Sequence, residues 1–167
     1  MSRATRVKPD DSTAEDAAWA GIPSLSLQQL WFSLQRREWS TLVAIPADRD
    51  TSVMDFGKPL YDVGRLALGE KLRLVDARDV KLTRTAALIL EMTAGLSPHA
   101  PGAPSGERLL VLIESVLSHP SGVPVALAAD AALLCVEMER TSIAAARETV
   151  QIVGAQRFLG CITLPPR

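Results

Sequence analysis

Four short runs of apolar residues punctuate the chain without polar alternation. They are Thr41–Ile45 (TLVAI), Leu109–Glu114 (LLVLIE), Ala131–Val136 (AALLCV) and Phe158–Thr163 (FLGCIT). Unbroken runs of this length suit strands buried on both faces, as in a parallel sheet. Lys71–Asp76 (KLRLVD) completes a set of five predicted strands at 41–45, 71–76, 109–114, 131–136 and 157–163. Between them the apolar positions change period. Ile143, Ala146, Val150 and Val153 follow at spacings of three, four and three, one face of a helix over Thr141–Val153. Thr141 is its predicted N-cap and Gly154 its stop. Leu27, Leu30, Trp31 and Leu34 form a second stripe, started by a Ser26–Gln29 capping box and closed by Arg36 and Arg37. Phe56, Leu60, Val63 and Ala67 form a third, with Pro59 near its start or at a kink and Gly69 as its stop. A fourth helix is predicted from Thr83 or Thr85 through Met92, stopping at Gly95, and a short one follows the proline turn after the third strand. Strands alternating with crossover helices predict an α/β three-layer sandwich on a mainly parallel sheet of about five strands.

Two stretches fall outside this pattern. Residues 1–24 mix charges with Ser, Thr and Ala without a sustained period, so a flexible N-terminal tail is expected there, with Trp19 able to pin it to a domain spanning 25–167. Ser97–Gly106 (SPHAPGAPSG) is a proline- and glycine-rich surface loop by composition.

Composition narrows the function more than it identifies it. The net charge of −1 gives no bulk attraction to nucleic acid or to an anionic membrane. Aromatic residues are 4% of the chain, too few for a base-stacking platform. The apolar stretches fall well short of the roughly 20 residues a membrane helix needs, and no signal peptide opens the sequence, so a cytoplasmic protein without membrane insertion is expected. Cys135 and Cys161 both lie in predicted buried strands and read as small core residues in a reducing compartment. The two histidines, His99 and His119, sit beside prolines in loops, so no metal site is expected.

The loop after the first strand carries the functional argument. In doubly wound folds a ligand sits beyond the carboxyl ends of the strands, at such a turn. A phosphate site there needs glycines for close backbone approach, a lysine, and amides at a helix N-terminus. Residues 46–53 (PADRDTSV) contain no glycine and no lysine, but hold Asp48 and Asp50, with Asp55 soon after. Each carboxylate repels a triphosphate by on the order of 1 kcal/mol even through water. Arg49 offsets part of this. The Gly57-Lys58 pair is followed by Pro59 rather than Ser or Thr, and Ser52 stands where the spacing calls for a first glycine. It does not make a phosphate loop.

The order of elements resembles the deviant P-loop ATPases: chromosome-partitioning and septum-site ATPases and the cytoplasmic domains of bacterial tyrosine kinases that govern polysaccharide export. Leu72–Arg78 (LRLVDAR) is similar to that family's second strand with its signature aspartate, here Asp76. Val111–Leu117 (VLIESVL) is similar to its Walker B strand, with Glu114 in place of the usual aspartate. Ala128–Val136 (AADAALLCV), Thr141–Leu164 and Leu27–Pro46 resemble its next strand, its closing helix and strand, and its opening helix and strand. A RecA-like relic would share this element list. The likeness spans Leu25 to Leu164 with no motif intact. If Thr51 and Ser52 follow the lysine position, Asp50 occupies it; counting back from Asp76, Met54 does. Tyr61 is the only tyrosine, so the chain has no tyrosine cluster to phosphorylate.

The resemblance with these departures implies a catalytically inactive ATPase-like protein without a cofactor. It would act as an adaptor or regulatory subunit for a protein partner in polysaccharide export, polarity or partitioning, and a homodimer is among the assemblies implied. The expected contact surface is 46–58, 78–85 and 97–106. The competing reading is an active nucleotide-binding ATPase or kinase with an unorthodox phosphate site. Its residues, or those of a vestigial site, would be Arg49, Asp50, Thr51, Asp76 and Glu114.

Overall fold

The computed structural model describes residues 25–94 and 106–164. The expected tail, Trp19, Gly95, His99 and most of the proline-rich segment lie outside these residues. The elements run α1 (Leu25–Gln35), β1 (Thr41–Pro46), α2 (Met54–Leu68), β2 (Leu72–Asp76), α3 (Leu82–Ala94), β3 (Arg108–Leu112), α4 (Val123–Ala128), β4 (Ala131–Glu137), α5 (Ile143–Val153) and β5 (Phe158–Leu164).

All five strands pair in parallel in the order β2-β3-β1-β4-β5, with β1 central between the third and fourth strands as the resemblance implies. Val43 aligns with Val111 on one side and with Ala132 on the other. Side chains alternate between faces along each strand. On one face Leu42, Ala44, Leu110, Leu112, Leu133 and Cys135 pack against Trp31 and Leu34 of α1 and Phe56, Leu60 and Val63 of α2. On the other, Val43, Ile45, Val111 and Ala132 pack against Met92 of α3, Val125 and Ala126 of α4 and Val153 of α5. Full burial of each large apolar side chain contributes about 1.5–3 kcal/mol. The three inner strands are therefore the anchor of the fold.

One close approach sets the seat of α2. A Cβ on Gly64 would come within 2.6 Å of Trp31 Cη2, so only glycine lets the helix lie this near α1. The third predicted stripe is corrected accordingly: Gly64 is buried and Ala67 is exposed. Pro59 lies inside α2, and Gly69, at φ 60°, ends it as expected.

Several predicted ends move. Ser26 lies inside α1 rather than at its cap, and Arg36 and Arg37 fall just beyond its last residue. Thr83 and Thr85 lie within α3; the Thr85 hydroxyl donates back to the Lys81 carbonyl instead of capping. The cap of α5 is Ser142, whose hydroxyl accepts from Ala145 N–H at 3.1 Å, because Thr141 is held elsewhere. Gly154, at φ 95°, ends α5 as expected.

The larger correction concerns β5. Phe158–Thr163 is not buried on both faces, because among the described residues β5 is an edge strand with one neighbour. Gly160, Cys161 and Thr163 are exposed, so Cys161 is no core cysteine. Cys135 is, and burial pushes its thiol up to about 12. The α5 stripe shifts with it. Val153 and Thr149 face the core, while Ile143 is 73% exposed.

Candidate functional site

Parallel strands bring their carboxyl ends to one edge, and every residue of the predicted site lies there. Arg49, Asp50 and Thr51 follow β1. Asp76 is the last residue of β2, and Glu114 stands two residues beyond β3. Since β3 runs between β2 and β1, Glu114 lies between Asp76 and the β1 loop.

The loop between β1 and α2 is closed on itself by a carboxylate. Asp48 Oδ1 accepts from Asp50 N–H at 3.0 Å, Thr51 N–H at 3.0 Å and the Thr51 hydroxyl at 2.9 Å. This is the position at which a phosphate loop offers its amides to an anion. Here the chain supplies the anion. Partial burial pushes the Asp48 carboxyl up, but hydrogen bonds from the Thr141 and Thr51 hydroxyls and from the two amides outweigh it and hold it below its ordinary value.

A second loop holds the first in place. Thr141 Oγ1 lies 3.3 Å from Thr51 Oγ1 and accepts from Glu137 N–H at 3.0 Å. The turn after β4 makes this reach with Glu139 in the left-handed region at φ 65°. Ala47 N–H donates to the Cys135 carbonyl at 2.8 Å, and the Thr149 hydroxyl of α5 donates to the Ala47 carbonyl at 3.1 Å. The loop is thus bonded to both β4 and α5.

Asp76 is engaged by its own neighbour. Arg78 Nε donates to Oδ1 at 2.9 Å and Nη2 to Oδ2 at 2.8 Å, a two-pronged pair. Those bonds hold the Asp76 carboxyl below its usual range. The Arg78 guanidinium is raised chiefly by Asp76, and Glu114 and Asp79 add smaller attractions. Arg78 therefore links Asp76 electrostatically to Glu114. A cavity of about 440 Å³ opens beside this pair, lined in part by Val75, Asp76, Asp79, Arg84 and Glu91. Its acids outnumber its bases, which disfavours a phosphate ligand. Lys58, on α2, pairs with Asp62 at 3.3 Å.

Glu137, the last residue of β4, is 1% exposed. Its Oε1 pairs with Arg140 Nη1 at 3.1 Å, while Oε2 has no hydrogen-bond partner among the described residues. Among the described residues, no group of His, Cys, Asp and Glu is placed to hold a metal ion, and no helix is long and apolar enough to cross a membrane.

The structure thus joins Thr51 to the β4 turn and Asp76 to Arg78, while Arg49 and Asp50 present exposed side chains. Sequence reasoning treated Asp48 only as a charge. Its spacing to Thr51, an acid three residues before a threonine at a helix entrance, is the signal for local side-chain-to-backbone bonding. Arg78, two residues after Asp76, was legible in the same way. Glu137, Arg140 and the Thr141 link were not, because they depend on where the β4 turn lands. The chain matches no protein-family model and no curated protein.

Proposed function

We propose that this protein is a catalytically inactive, P-loop-NTPase-like adaptor that works through a protein partner rather than through a nucleotide. One observation carries the reading: the Asp48 carboxylate takes the amides of Asp50 and Thr51 in the loop after the central strand. A triphosphate approaching this loop must displace a bonded carboxylate and then sit beside it. The loss of both the amides and the lysine removes the two attractions such a site uses. Asp76, bound through Arg78, adds a second occupied carboxylate at the same edge.

A protein without a bound nucleotide has no such ligand to shift it between two states, because a ligand shifts states only by binding them unequally. The adaptor is therefore constitutive. Its contact surface is the carboxyl edge, through the exposed residues of Pro46–Lys58 and Arg78–Thr85, such as Arg49, Asp50, Asp79 and Lys81, at the ends of a rigid sheet. The class of partner follows from the resemblance: a cytoplasmic assembly for polysaccharide export, polarity or partitioning. Arg49 and Asp50 are both exposed, so Arg49→Glu with Asp50→Lys alters the edge without touching the core. The test is affinity capture from the native host with wild type and with this double variant, both confirmed folded by circular dichroism. The expected result is loss of a specific partner from the variant. An unchanged partner profile contradicts the assignment of this edge.

A further inference from the structure

The two edges of the sheet differ in chemistry. The β2 edge carries charge: Arg73, which pairs with Glu91 at 3.2 Å, and Asp76. Charges of this kind are a standard protection of an edge strand against further pairing. The β5 strand itself carries none, although Arg36 and Arg37, just beyond α1, line a cleft with Leu159, Gly160 and Cys161. Phe158–Leu164 is seven residues long, without Asp, Glu, Lys, Arg or Pro. Its one irregularity against β4 lies near its start, between the pairs Ala132–Phe158 and Leu133–Gly160. From there to Leu164 the register is regular. Among the described residues, nothing pairs with its outer side.

The neighbouring face is open as well. Leu134 and Val136 of β4 form, with Ile143, Ala146 and Val150 of α5, an apolar trough of about 400 Å³. Leu134 aligns with Cys161 and Val136 with Thr163, so the floor of the trough continues onto β5, where Cys161 and Thr163 are exposed.

We infer that β5 is the seam of a homodimer, in which two copies pair their β5 strands antiparallel about a two-fold axis and continue the sheet from five strands to ten. A partner for this edge must supply a strand that brings no like charge against it. A second β5 is such a strand, since an uncharged segment opposes itself without repulsion and a two-fold makes every contact twice. Opposed residues of an antiparallel pair share a face, so the two troughs lie on one side of the joined sheet and their floors run together. This inference is independent of the adaptor reading, because the β5 edge is not the carboxyl edge that carries Asp48 and Asp76.

The strand holds its own reporter. Cys161 is the middle residue of Phe158–Leu164, so a two-fold centred on the strand sets the two Cys161 residues opposite one another. Directly opposed Cα atoms in an antiparallel pair lie about 4.5–5.5 Å apart, within the range a disulfide spans. Cys135, fully buried, serves as the internal control.

The test uses the full chain and two measurements. Sedimentation velocity over a concentration series reads the oligomer. Oxidation with copper(II)–phenanthroline, in which copper takes one electron from each thiolate, followed by non-reducing electrophoresis reads the register. The expected result is a dimer that crosslinks through Cys161, crosslinks in Cys135→Ser, and persists without crosslinking in Cys161→Ser. In Cys161→Lys, like charges meet across the axis, and the dimer dissociation constant should rise about fivefold or more with an unchanged circular dichroism spectrum. A monomer up to roughly 100 μM, a concentration at which even weak specific dimers populate, overturns the inference. So does a dimer that neither crosslinks through Cys161 nor weakens in Cys161→Lys. A monomer whose β5 amides resist hydrogen exchange overturns it too, by showing that another part of the same chain covers the edge.

Discussion

The hydroxyl oxygens of Thr51 and Thr141 lie 3.3 Å apart, joining the loop after β1 to the turn after β4. The Thr51 hydroxyl donates to Asp48, and the Thr141 hydroxyl also bonds that carboxylate. Thr141 also accepts from the Glu137 amide. Two loops ninety residues apart are thereby held as one unit, and Asp48 is the acceptor at its centre. Removing either hydroxyl should cost about 1 kcal/mol. Thr51→Val and Thr141→Val should be non-additive, with a coupling of about 0.5 kcal/mol or more in a double-mutant cycle read by urea denaturation. Strict additivity would show that the two loops are not coupled.

Asp48 ties this unit to pH. Its folded-state pKa lies below the ordinary value of 3.8, because the threonine hydroxyls and loop amides favour its charged form over the opposing effect of burial. A group depressed in the folded state contributes stability that is present above its unfolded pKa and is lost as pH falls through the folded value. Asp76, lowered mainly by its bonds from Arg78, adds a contribution of the same sign. Stability should therefore hold from neutral pH down to about pH 5 and decline below about pH 4. Asp48→Asn should be less stable at pH 7 and show a shallower acid decline. Denaturant midpoints for both proteins between pH 7 and pH 3 check this, and parallel curves would exclude Asp48 as a contributor.

The buried pair at the end of β4 has a directional consequence. Arg140 is the only ion-pair partner of Glu137 among the described residues, and Glu137 is almost wholly inaccessible. Arg140→Ala leaves a buried carboxylate uncompensated and should cost about 2–3 kcal/mol. Glu137→Gln removes the charge that needs compensation, so the double variant should recover much of the loss. Thermal unfolding of the four proteins decides this. A double variant no more stable than Arg140→Ala would mean that Arg140 acts through packing.

The layer order was legible because the inner strands are buried on both faces and so show unbroken apolar runs. Val111 and Leu133 lie under helices whatever face they point to. The edges were harder to read. FLGCIT has the same apolar look as AALLCV, yet β5 has a single neighbour, and only topology reveals that Cys161 is exposed. Cap positions shifted for a related reason: Thr141 and Ser142 are equally good caps locally, and the contact with Thr51 selects Ser142. The five candidate residues lie at one edge, as the strand order implies. What they bond to leaves no periodic trace, because Arg78 and Asp48 act through bonds that cross only two or three residues, and local spacing is the one signal of it. Asp130 is hidden for the opposite reason, because its partners are distant in sequence. Its carboxylate accepts from Ser40 and Thr41 N–H at 2.8 and 2.9 Å, fixing the start of β1 from ninety residues away.

On the proposed reading, the Asp48 carboxylate stands where a nucleotide phosphate would bind. Isothermal titration calorimetry of the purified chain with ATP and magnesium tests it directly. The expected result is no saturable heat at about micromolar affinity. A saturable signal that is lost in Asp76→Ala would contradict the account and place a working nucleotide site at this edge.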